Sequence, residues 1–223
     1  DSTIEYYGNQ AAADVLFVSE SGTTKTYKKL KVVQSGGSIE FASSVNAASF
    51  EDAATVSGTF KRNVTVGSGS GSLSLLGDWR IGDAGNAAAA VAVNASVVNG
   101  KSLAFDSDVA TISGSYSGDG AFTACGTKTT VGGAVNFQTG TFNHNGGTFV
   151  LNGNSLTCKT DGTTVFNNLE IGVTSAASSV SVTNKMNVDG NMTNRRQLIV
   201  NQDCEFKGDV QTVQSMTVKG TAK

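Results

Sequence analysis

The chain has 223 residues, with 16 basic and 18 acidic side chains and a formal net charge of −2. Charged residues form only 15% of the sequence, against roughly 25% in an ordinary globular domain, so no basic surface for nucleic acid is expected. No apolar run approaches the roughly 20 residues of a membrane-spanning helix, so no membrane span is predicted.

The first 36 residues differ from the rest of the chain. They contain two apolar runs, Asp14–Val18 and Leu30–Val33, and a turn signal near Ser21-Gly22 between them. Two such runs around a polar turn favour a β-hairpin. We therefore predict that residues 1–36 form an N-terminal hairpin. It is a candidate cap or docking strand, and an ordinary solvated hairpin is the alternative that we favour.

Residues 37–223 repeat a short unit of apolar, polar and apolar residues followed by Gly, Asn, Asp or Ser. Alternation over so few residues describes short strands with one buried face. Examples are Ile39-Glu40-Phe41, Val64-Thr65-Val66, Leu103-Ala104-Phe105 and Leu169-Glu170-Ile171. The Ala-rich segment 86–94 alternates in its second half, and we interpret it as a strand too.

The C-terminal part of the chain has a six-residue period. Every sixth residue is apolar in the series Val180, Met186, Met192, Leu198, Cys204, Val210 and Met216. Three residues for a strand and three for a corner would coil the chain, so that successive coils pair and buried side chains stack in columns. The sequence predicts one all-β domain, residues 1–223, built as a solenoid-like stack of short strands; a β-sandwich or jelly roll is the alternative.

Three cysteines are present, Cys125, Cys158 and Cys204. In an oxidising compartment an odd count suggests one disulfide and one thiol left for another chain. The alternative is that all three are small buried hydrophobic residues, which we favour for Cys204 because it lies in the apolar series. Their wide spacing and the single histidine exclude an ordinary zinc site.

The chain has few residues of the types that commonly act in catalysis. The one histidine, His144, lies in a polar FNHNGG segment that is typical of a turn, and no nucleophile motif surrounds it. Carboxylates are mostly scattered along the chain; Asp106 and Asp108 are a close pair, and a polar turn after Phe105 explains them. We predict no catalytic residue, no bound cofactor and no enzymatic activity.

A bound calcium ion is a weaker alternative to the prediction that the chain binds no metal. Carboxylates lie in the turns Ser117–Gly120, Asp106–Asp108 and Asp189-Gly190, where their oxygens can bind a hard cation. Turn chemistry alone also explains these residues, and no calcium-binding loop motif is present.

Three Asn-X-Ser/Thr sequons begin at Asn63, Asn94 and Asn191. On a cell surface they are candidate glycosylation sites. A chain this rich in Asn, Ser and Thr also produces such sequons by chance.

The stretch Gly140–Ile171 reads GTFNHNGGTFVLNGNSLTCKTDGTTVFNNLEI, and MNVDGNMT follows it at residues 186–193. From Gly140 to about Val218 the chain resembles repeats in large β-solenoid surface and sheath proteins of bacteria and archaea. The resemblance implies a surface, stalk or sheath component without catalytic residues.

Together these features predict a structural subunit of an extracellular layer, sheath or filament that assembles from copies of itself through β-edges and side-chain packing. The secreted type of composition and the start at Asp1 lead us to expect that a leader has been removed. An adhesin or a viral fibre or receptor-binding module is the alternative.

Overall fold

The structure, a computed structural model, describes residues 3–6, 15–18, 24–33, 37–53, 57–67, 71–83, 88–154, 156–176 and 178–223. Within these residues the chain is all β. In chain order the strands are β1 (Thr3–Tyr6), β2 (Val15–Val18), β3 (Lys25–Val32), β4 (Ser38–Phe41), β5 (Val45–Asp52), β6 (Ser57–Phe60), β7 (Val64–Val66), β8 (Ser72–Leu75), β9 (Trp79–Ile81), β10 (Ala88–Val91), β11 (Asn94–Val97), β12 (Ser102–Phe105), β13 (Val109–Ile112), β14 (Tyr116–Gly118), β15 (Ala121–Thr123), β16 (Lys128–Val131), β17 (Val135–Asn136), β18 (Thr141–Asn143), β19 (Thr148–Leu151), β20 (Leu156–Lys159), β21 (Val165–Phe166), β22 (Asn168–Ile171), β23 (Ser179–Val182), β24 (Met186–Val188), β25 (Met192–Asn194), β26 (Gln197–Val200), β27 (Cys204–Phe206), β28 (Val210–Thr212) and β29 (Met216–Val218).

These strands pair in parallel and stack into the faces of a β-solenoid. Sheet A contains β1, β3, β5, β7, β10, β13, β16, β19, β22, β25 and β28 in that order. Sheet C contains β8, β11, β14, β17, β20, β23, β26 and β29, and sheet B contains β2, β4, β6, β9, β12, β15 and β18. The short sheet D contains β21, β24 and β27 and takes the third position of the coil after sheet B has ended.

Six residues form one side of a three-sided coil, so one full coil takes three periods. Leu198 pairs with Val180 before it and with Met216 after it, three periods away in each direction. The intervening residues of the series lie on the other two sides, where Met192 pairs with Val210 and Met186 with Cys204. The predicted columns therefore exist, and each column takes every third member of the apolar series.

The solenoid prediction is confirmed, and the sandwich alternative is wrong because the ladders between the described strands are parallel. The predicted N-terminal hairpin is wrong as well. Strand β2 pairs in parallel with β4 in sheet B, whereas β3 pairs in parallel with β1 and β5 in sheet A. The two runs are successive sides of a coil, and the expected turn at Ser21-Gly22 lies outside the described residues. The Ala-rich segment does contain a strand, β10.

Stacked aromatic rings fill much of the interior. Phe41, Phe60 and Trp79 stack at centroid distances of 5.0 and 4.8 Å in successive coils. The buried carboxylate of Asp52 accepts hydrogen bonds from the backbone of Leu76 and from the indole nitrogen of Trp79, at 2.8 and 2.9 Å. This polar anchor fastens the aromatic stack to the coil below it.

Candidate assembly surface at the C-terminal end of the solenoid

The last coil, residues 207–223, repeats the geometry of the coils before it. Strand β28 pairs with β25, β29 pairs with β26, and Ala222 forms a bridge with Cys204. Backbone N–H groups of Val213 and Lys219 donate to the carbonyls of Asn194 and Val200 at 2.7 and 2.9 Å. The last coil is thus a regular three-sided layer.

The apolar residues of this layer are exposed, although their counterparts one coil earlier are buried. Met192 and Leu198 are 1% and 0% exposed, because Val210 and Met216 lie directly above them. Val210 itself is 40% exposed, and Met216 is only partly buried. No described residue covers this coil, and its apolar column, hereafter the end surface, is exposed within the described part of the chain.

The end surface also presents unpaired strand edges. In sheet A, Met192 donates to the carbonyl of Asp209 and Val213 donates to that of Asn194, so these groups face inward. Backbone groups of alternate residues point to opposite edges of a strand. Those of Val210 and Thr212 therefore point outward, and among the described strands nothing pairs with that edge of β28. The same holds for β29 at the end of sheet C.

Strand β1 lies at the opposite edge of sheet A as far as the structure describes it. Strand β1 is the first strand of the sheet, and within the described chain it pairs only with β3. Ile4 belongs to the column of buried Leu30 but is itself 40% exposed. All strands of sheet A run in the same direction. The outer edge of β28 in one copy could therefore pair in parallel with the outer edge of β1 in another copy, as neighbouring strands of the sheet do.

Charged side chains link successive coils to one another. Lys31 contacts Glu5 on one side and Glu51 on the other, at 3.5 and 3.8 Å. Glu170 lies between Lys128, two coils earlier, and Arg195, one coil later, at 3.4 and 3.3 Å. Oppositely charged side chains thus alternate up the stack, and these exposed pairs add more to register than to stability.

The three cysteines are free and buried. This arrangement agrees with the interpretation as small buried hydrophobic residues and gives no support to a disulfide. Burial raises the pKa of the Cys158 thiol to about 12, and burial with nearby Asp203 raises the pKa of Cys204. The Cys125 thiol donates to the carbonyl of Lys128 at 2.7 Å.

All three sequon asparagines are exposed. Two of them fasten corners: Asn94 accepts from the backbone N–H of Ser115 at 2.8 Å, and Asn191 accepts from that of Asp209 at 3.0 Å. Asn63 immediately precedes β7. Glycosylation of these residues stays a prediction.

Three of the four carboxylates in the candidate calcium turns have protein partners. Asp106 pairs with Arg80 at 2.7 Å, Asp189 pairs with Lys207 at 2.8 Å, and Asp119 accepts from the Thr139 hydroxyl. Three or more His, Cys, Asp or Glu residues do not come together as a potential metal site anywhere in the described ranges. His144 lies in a turn, as predicted, with its Nδ1 accepting from the backbone of Gly146 at 2.9 Å.

The end surface was not identified from the sequence, since Val210 and Met216 fit the same period as buried residues. Val213, 55% exposed, is an apolar residue at a corner outside the six-residue series, and that departure is the one local signal. No protein-family model, curated protein or solved structure matches the chain. Over the residues that the structure describes, no helix is long and apolar enough to cross a membrane.

Proposed function

We propose that this chain is a structural subunit of an extracellular layer, sheath or filament, in which copies join end to end through the stack. The observation that carries the proposal is the regular stack, in which residues 207–223 repeat the strand pairing and the apolar column of the coil before them. With the described stack as the assembling unit, strand β28 of one copy would pair in parallel with β1 of the next, which continues sheet A across the joint.

The joint would bury the exposed parts of Val210 and Met216 against the Ile4 end of the next copy. Each contributes about 1 kcal/mol on partial burial, and each ladder hydrogen bond adds about 1 kcal/mol. Association itself costs at least about 4 kcal/mol, so we expect assembly to depend steeply on concentration.

The contact is heterologous, because one end of a copy meets the other end of the next. Repeated contacts of this kind give a ring where the rotation closes and a filament where it does not. The low charge and the resemblance of residues 140–218 to sheath repeats support an extracellular setting.

The test compares two lysine substitutions in strand β28. Val210→Lys places a charge on the end surface, whereas Gln211→Lys places the same charge on the exposed outer face of the same strand. Wild type and Gln211→Lys should form concentration-dependent polymers in sedimentation and electron microscopy, and Val210→Lys should remain monomeric with an unchanged circular dichroism spectrum. A wild type that stays monomeric at every concentration, or a Val210→Lys protein that polymerises like wild type, contradicts the proposal.

A further inference from the structure

Sheet B is interrupted where it meets sheet D. Strand β18 is the last strand of sheet B, and β21 begins sheet D without pairing to it. The core nevertheless continues past the interruption, because the ring of Phe142 lies 6.1 Å from Phe122 and 5.3 Å from Phe166. The main-chain ladder stops while the column of rings does not.

A cavity of about 330 Å³ opens at this interruption. Its wall includes the partly buried ring of Phe142, together with His144 and Asp161. A second cavity of about 380 Å³ lies beside it, and Thr141 lines both. The second cavity is lined by Asp78, Lys101, Ser102, Asp119, Thr139 and Thr141, among others.

The two cavities adjoin at Thr141 on one side of the stack, and together they are hereafter called the sheet B groove. Gly120 and Gly140 form part of its corner, where a side chain would collide with the carbonyl oxygens of Lys101 and Gly120. The groove crosses five successive coils, which at the spacing of parallel strands is about 19 Å. Each cavity reaches the size range of small-molecule sites.

A peptide strand inserted into the interrupted ladder does not fit. Two strands that flank an inserted strand lie about 9.6 Å apart, twice the ordinary spacing. The ring separation of 5.3 Å between Phe142 and Phe166 is that of adjacent coils. The occupant therefore lies on the surface of the stack.

The polar groups of the groove include acceptors and donors: its carboxylates and hydroxyls can accept, and the amides of Asn99 and Asn143 and the ammonium of Lys101 can donate. The hydroxyl of Ser102 donates to Asp78 at 2.8 Å, that of Thr139 donates to Asp119, and that of Thr164 donates to Asp161 at 2.7 Å. Each of these hydroxyls donates its hydrogen to a carboxylate, and its oxygen can still accept a hydrogen bond from a ligand.

The charge of the groove selects against anions. Hydrogen bonds from Thr163 and Thr164 outweigh partial desolvation and lower the pKa of Asp161 to about 2. Three carboxylates line the groove, Asp78, Asp119 and Asp161, and the one lysine or arginine among the described residues of its wall is Lys101, which lies 3.9 Å from Asp78. A fitting ligand offers both hydrogen-bond donors and acceptors, carries no negative charge and has an apolar face for the ring of Phe142.

We propose that the sheet B groove binds a neutral or amino-bearing oligosaccharide that lies along the stack axis. Sugar hydroxyl and ammonium groups supply the donors that the carboxylates and hydroxyls accept. The apolar face of a sugar ring suits the partly exposed Phe142. This inference is independent of the proposed assembly, because the groove lies on the side of the stack.

The test is calorimetric titration of the full chain with cellohexaose, maltohexaose, chitohexaose and hexameric chitosan, with hexagalacturonate as the acidic counterpart. At least one of the first four should bind, and more tightly than hexagalacturonate. Thr141→Arg fills the junction of the two cavities and should weaken binding at least tenfold. Ser117→Arg, an exposed substitution on sheet C, should leave it unchanged.

Both variants should keep the wild-type circular dichroism spectrum, because both sites are exposed. Repeating the titration with Val210→Lys separates sugar binding from assembly. The proposal is overturned if none of the four sugars binds at millimolar concentration, if hexagalacturonate binds best, or if Thr141→Arg and Ser117→Arg behave alike.

Discussion

The coil of β25–β27 and the coil that follows it carry the same apolar pattern and differ in burial. Leu198 is buried and Met216, its partner in the next coil, is partly exposed. The difference arises from what lies above each coil rather than from its own sequence. A single coil of a solenoid cannot bury its own apolar side chains. The stability of the fold therefore depends on the contacts between neighbouring coils.

The largest expected difference between these coils concerns their apolar columns. Leu198→Ala removes a fully buried side chain and should lower the free energy of unfolding by about 3 kcal/mol. Met216→Ala, at the same position one coil later, should cost less than about 1 kcal/mol in the monomer. Urea unfolding of both variants measures the contrast, and equal losses would show that the last coil is already covered.

A second contrast concerns the corners. Arg196 is 4% exposed, and its guanidinium donates to the carbonyl of Gly153 and to Asn154. Arg196→Ala should cost about 2 kcal/mol, since buried acceptors lose their donor. Gln214, the corner residue one coil later, is exposed, and Gln214→Ala should change the unfolding midpoint little. Similar unfolding midpoints for the two variants would mean that the hydrogen bonds of Arg196 do not stabilise the stack.

The smallest expected effect is local opening of the last coil. Cys204 is covered by that coil alone, whereas Cys158 lies deeper in the stack. Opening from the end should therefore let Cys204 react with a thiol reagent at least tenfold faster than Cys158, in variants that keep one cysteine each. Equal rates would indicate that the stack opens as a single unit.

Much of the fold was predictable because alternation and period depend on local side chains. Val180, Leu198 and Met216 are spaced so that they must share an inward face. Strand partners were not predictable in the same way: β2 and β3 look like hairpin arms, since alternation is identical in a hairpin and in a coil. Only the strand partners distinguish a hairpin from a coil, and those partners lie far away in the sequence.

The functional surfaces were less predictable for a related reason. The corner residue Arg196 reads as an exposed polar residue, and only the third dimension places it against Gly172 and Gly153. The sheet B groove depends on a ladder that stops at β18, although Phe142 and Phe166 continue the apolar column. Such features depend on how coils stack, which no local pattern specifies.

Residue-resolved hydrogen exchange, compared between dilute monomer and concentrated protein, tests the end-to-end joint most directly. The outward N–H groups of Val210 and Thr212 should exchange fast in the monomer and become protected on assembly. The inward N–H of Gln211 should change little, which gives an alternating pattern along β28. Polymers in which Val210 and Thr212 stay unprotected would contradict a joint made by this strand edge.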